Sequence, residues 1–182
     1  MTLPLPMSSV PASTLRIRRS GALLFVGVGA LTAVFLRELR FAEASGASTL
    51  AGLLGIHPGR LNATVWVQTP DHWPAGINIV NGCSVGLLII PLALVTGLML
   101  VTGRVRTRSA VGAFLAVAFL VTALNQIRYV ITLFAIHRWG FEEGYGQTHV
   151  LVGSLVSSVG IVLATATMTI VLLRMSDGDR RG

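Results

Sequence analysis

Four stretches of the chain carry the apolar length that a bilayer crossing needs, roughly 20 residues each, separated by arginine clusters and one long polar insert. The first, 21–36, follows Arg16, Arg18 and Arg19 like the core of a signal sequence. Arg37-Glu38-Leu39-Arg40 comes directly behind it, with no small-residue cleavage site, so it reads as a retained helix after a tail of residues 1–20. The second, 85–102, contains Pro91, which kinks a membrane helix where neighbours satisfy the freed carbonyl. The third, 109–137, exceeds one crossing and so tilts or runs on past the bilayer. The fourth, 149–173, leads into a short polar tail, 174–182.

The insert 37–82 loses membrane-length hydrophobicity. Apolar and polar positions alternate over 63–68 and again over 76–81, around the turn residues Thr69-Pro-Asp-His-Trp-Pro, which predicts a short β-hairpin. Residues 41–56 predict a helix that lies on the membrane surface or dips into it, and 137–148 predict a glycine-rich loop with Glu142 and Glu143. The expected fold class is an all-α polytopic membrane protein, 1–182 forming a single membrane-embedded domain. About four transmembrane helices would carry a β-hairpin-like extracytoplasmic segment.

Composition strengthens the assignment to lipid: 53% of residues are hydrophobic and 12% charged, and the mean hydropathy is +0.75. The net charge of +7 comes from arginines in short clusters without interleaved aromatics, a pattern of topology signals and not of a nucleic-acid surface. With both termini cytoplasmic, nine of the 14 basic residues fall inside, as the positive-inside rule prefers. Cys83 then starts the second helix, Arg128 approaches the end of the third and His149 starts the fourth, all at the outer face of the cell membrane.

Cys83 is the single cysteine, which excludes an internal disulfide and any cysteine-rich metal site. It lies in Asn81-Gly-Cys-Ser-Val-Gly, where a strand-like segment becomes a helix. There the unpaired N–H groups and positive helix end favour a thiolate, the plainer alternative being an inert packed cysteine. Arg128 interrupts an apolar run, at a cost of at least about 2.5 kcal/mol unless a partner or a wet cavity receives it. Snorkelling to the nearby interface is the alternative. Asn125 precedes it by one turn on the same face, so the pair forms a polar facet that should point into the bundle. His149 follows a polar loop and can exchange protons near neutral pH. A cysteine nucleophile needs a base or acid, and a developing oxyanion needs a fixed donor, roles that His149 and Arg128 would supply. His72, His137, Glu142, Glu143 and His149 show no metal-ligand spacing, so no metal and no cofactor are expected.

Asn81-x-Cys83-Ser84-x-Gly86, then Asn125-x-x-Arg128, then His149-x-x-x-Gly153, in that order over about 60–165, resemble the exosortase/archaeosortase family of membrane transpeptidases. The family commonly has Cys-Ser-Gly, whereas Val85 intervenes here, and many members have more helices. The resemblance implies Cys83 as nucleophile with Arg128 and His149 as partners, supported by Asn125 and Ser84. It also implies protein substrates ending in a short motif, a hydrophobic span and a basic tail, cleaved through a thioester acyl-enzyme. The competing expectation is a non-catalytic assembly or accessory subunit, in which Arg128 pairs with Glu142 or Glu143 and Cys83 only packs.

Overall fold

The structure, a computed structural model, describes residues 12–102 and 105–148, together with 162, 166 and 170. Its elements in chain order are α1 (Ala12–Val34), α2 (Leu36–Leu53), β1 (Gly59–Leu61), β2 (Thr64–Gln68), β3 (Pro74–Asn78), a 3-10 turn (Asn81–Cys83), α3 (Gly86–Val101), α4 (Thr107–Trp139) and α5 (Phe141–Gln147).

Helix α4 organises the molecule. Its 33 residues extend about 50 Å at 1.5 Å per residue, against about 30 Å of hydrocarbon, and its two halves belong to two cores. In the first half Ala110, Ala113, Phe114, Val117 and Val121 pack with Ala22 and Phe25 of α1 and with Leu92, Ala93 and Leu100 of α3. Phe25 meets Phe114 edge to face, and Gly97 of α3 brings the Ala22 carbonyl of α1 within 3.3 Å of where a Cβ would stand. In the second half Tyr129, Leu133 and Ile136 pack with Ala44, Ala47 and Ala51 of α2 and with Val65, Val67 and Ile77 of the sheet. Small residues on one face of α2 let it approach both neighbours closely.

The strands form an antiparallel sheet of order β1-β2-β3, with Val65 opposite Ile77 and Trp66 opposite Gly76. The expected hairpin is present as β2 and β3, its second strand at 74–78 where 76–81 was expected, and β1 adds a third strand through a tight turn at Asn62, whose φ of 55° is one that asparagine tolerates. Alternation decides which face is buried: Val65 and Val67 point into the core, while Thr64 and Trp66 are half-exposed. The Gln68 carbonyl approaches His137 Nδ1 at 2.6 Å, tying the sheet to the end of α4.

Four membrane-spanning helices are not supported. Among the described residues one helix, α4, is long and apolar enough to cross a bilayer, and α1 with α2 would make a second only as a span bent by 75°. Helix α3 is apolar but has 16 residues. The expected fourth span and the tail 174–182 lie outside the described residues, apart from helical positions 162, 166 and 170. Three local expectations are also corrected. Residues 12–20, expected in the N-terminal tail, begin α1; the helix expected over 41–56 starts at Leu36 and ends at Leu53; and the loop expected over 137–148 contains α5. Gly144 makes α5 possible, because a side chain there would overlap the Ala135 carbonyl of α4.

Candidate active site

The polar facet of α4 sits where its two cores meet. Asn125, Arg128, Tyr129 and Thr132 follow the i, i+3, i+4, i+7 spacing of one helical face, and all four are buried. Burying an arginine to 7% exposure is unfavourable unless its donors are satisfied. Here Arg128 Nη2 donates to the main-chain carbonyl of Cys83 at 3.0 Å. Asn125 Nδ2 also reaches that oxygen at 3.1 Å, and the Tyr129 hydroxyl donates to it as well. Three side chains of one helix thus end on a single carbonyl oxygen. The guanidinium of Arg128 also lies 5.1 Å from the centre of the Tyr129 ring, close enough for a cation–π contact.

Facing these donors is a residue the motif reading passed over. Glu43 of α2 is 3% exposed, and its carboxylate accepts from the Ser84 hydroxyl at 2.6 Å, the Val85 N–H at 2.9 Å and Asn125 Nδ2 at 2.8 Å. All three neighbours are donors, as a carboxylate requires. The Gly86 N–H in turn donates to Ser84 Oγ at 3.2 Å. A Cβ at Gly86 would meet the end of the Leu36 side chain, which would have to shift.

Cys83 itself closes the 3-10 turn, three residues before α3 begins. The expectation that the first turn of a helix would support its thiol is therefore corrected: the N–H groups of Val85 and Gly86 are directed to Glu43 and Ser84. The anion at the positive end of α3 is Glu43. The cysteine is half-buried and lines a pocket together with Arg128, Tyr129 and Thr132 of α4, Tyr145 of α5 and residues 77–79 of and after β3. The cavity volume is about 20 Å³, room for about one water-sized group.

Cys83, Ser84, Asn125 and Arg128 are thus brought together from segments more than 40 residues apart. His149 lies outside the described residues. Glu142 and Glu143, the partners Arg128 would have in an accessory subunit, are exposed on α5. Tyr129 was legible from its helical spacing to Asn125. Glu43 offered a subtler signal: an acidic residue set among Ala42, Ala44, Ser45, Gly46 and Ala47, small neighbours that mark a closely packed surface. Among the described residues no group of three His, Cys, Asp or Glu side chains could hold a metal ion. Comparison with family models, with curated proteins and with solved structures finds no match.

Proposed function

We propose that this chain is a membrane cysteine transpeptidase or protease of the exosortase/archaeosortase type, cleaving exported proteins that end in a short motif, a hydrophobic span and a basic tail. The observation that carries this reading is the pocket that Cys83 and Arg128 line together. Its place at the end of the apolar half of α4 suits substrates anchored in the same bilayer. Exposed apolar side chains around that half, among them Leu23, Leu31, Leu94, Leu98, Leu115 and Phe119, suit contact with lipid.

In this mechanism the Cys83 thiolate attacks the carbonyl carbon of the scissile peptide, forming a C–S bond and a tetrahedral oxyanion. Arg128 stabilises that oxyanion or holds the thiolate, and Asn125 keeps the α4 facet in register. Collapse breaks the C–N bond, and the leaving amine takes a proton from His149. The thioester is then resolved by an amine, a lipid-linked acceptor or water, which returns the thiol.

A second reading rests on a different observation: Arg128, Asn125 and Tyr129 all bond to the main-chain carbonyl of Cys83. Such a latch also suits a non-catalytic assembly subunit. One experiment separates the two. Cells co-expressing the chain with a tagged protein that ends in a hydrophobic span and an arginine-rich tail are assayed for loss of that tail by intact mass. Cys83→Ser is expected to abolish processing while its membrane level stays unchanged; processing at the normal rate by that variant overturns the enzyme reading.

A further inference from the structure

We infer that Glu43 is the positioning residue of this site, holding the Cys83 segment and the Arg128-bearing face of α4 in one register. The inference rests on the transpeptidase reading for its catalytic consequence, and on geometry alone for its structural one.

A carboxylate buried to this depth is disfavoured by several kcal/mol unless its oxygens are satisfied, so its retention calls for a specific role. The role follows from what it joins. Oε2 takes the Ser84 hydroxyl and Oε1 takes the Val85 N–H, so both oxygens grip the two residues that follow the nucleophile. Oε1 also takes the Asn125 amide, one turn before Arg128. Glu43 is therefore the atom-level junction of three elements: α2, on which it stands; the segment entering α3; and α4. The Gln126 side chain reinforces the junction by donating from Nε2 to the Glu43 main-chain carbonyl at 3.3 Å, where Gly46 lets α2 approach α4. The Asn125 amide has two protons and three acceptors within reach, namely Glu43 Oε1, the Cys83 carbonyl and the Tyr129 hydroxyl. Removing Glu43 frees the amide to turn, and the Cys83 carbonyl then loses its shared donor as well as the grip on Ser84. The thiol and the guanidinium would both survive, but their separation would no longer be set.

The test compares Glu43→Ala with Glu43→Gln, in detergent-solubilised full-length protein and in membranes. Gln keeps an oxygen for Val85 and Asn125 and presents an amide to which the Ser84 hydroxyl can turn. The first readout is the second-order rate of Cys83 alkylation by a small neutral maleimide. The second is processing of the tailed substrate, resolved into kcat and KM. Misplacing reacting groups by about 1 Å lowers rates on the order of 100-fold, so Glu43→Ala is expected to lower kcat by that order with KM within about twofold, and Glu43→Gln to recover most of the loss. Combining Glu43→Ala with Asn125→Ala is expected to change alkylation by far less than the product of the single effects, because one junction is being removed twice. Multiplicative effects in that cycle, or an alkylation rate that Glu43→Ala leaves unchanged, overturn the inference. Failure of the transpeptidase reading looks different: Cys83→Ser processes normally while the alkylation cycle still shows coupling.

Discussion

Replacing Asn125 by Asp changes an NH2 group to an oxygen at the centre of the polar cluster and leaves the volume almost untouched, so its effect isolates electrostatics from packing. In the native protein the amide nitrogen donates to Glu43 Oε1 at 2.8 Å. In the variant two carboxylates would face each other at that separation, and unit charges 2.8 Å apart repel by about 6 kcal/mol at an effective dielectric constant near 20. Unfolding of the detergent-solubilised protein, followed by the fluorescence of Trp66, Trp73 and Trp139, is expected to show a loss of several kcal/mol at neutral pH. Glu43→Gln added to Asn125→Asp restores a donor opposite an acceptor and is expected to recover part of the loss. A variant as stable as the native protein at neutral pH, or a double variant no better than Asn125→Asp alone, would refute the contact between Glu43 and Asn125.

Two further outcomes follow from the same geometry. Tyr129→Phe removes a hydroxyl from the Cys83 carbonyl, but Arg128 and Asn125 still bond to that oxygen; the expected loss is therefore that of one satisfied hydrogen bond, about 1 kcal/mol, measured by the same unfolding assay, and a loss above about 3 kcal/mol would mean the oxygen had been left unpaired. Gly144→Ala puts a methyl into the backbone of α4 at Ala135, which cannot move aside as a side chain can, so α5 is expected to detach and limited proteolysis to cut near 140–148 in the variant but not in the native protein.

The two halves of this molecule differ in how far their sequence announces them. Helix α3 and most of α4 coincide with apolar runs, strand β2 falls within the alternating segment 63–68, and β3 overlaps the second such segment at 76–78 across a connection holding Pro70 and Asp71. These are local periodicities, and local backbone preference generates them. The short α5 escaped notice because Gly144 and Gly146 read as loop residues; only docking against α4, where Gly144 is needed for close approach, makes a helix there favourable. Helix α2 likewise begins directly after the apolar run of α1, at a 75° bend that no proline or glycine marks.

By itself the sequence determined that the chain is apolar and helix-rich, that a small antiparallel sheet interrupts it, and that Asn125 and Arg128 share one helical face. Tertiary structure alone decided which atoms that face meets. Arg128 was expected to stabilise an oxyanion or hold the Cys83 thiolate; in the structure it bonds to the Cys83 carbonyl, while Cys83 and Arg128 line one pocket. Glu43, 82 positions from Asn125 in the chain, supplies the acceptor that closes the network. The physical reason is one of range. Periodicity reports how a residue stands on its own element, whereas the partner of a buried donor is chosen by the packing of distant elements, where desolvation leaves no water to take its place.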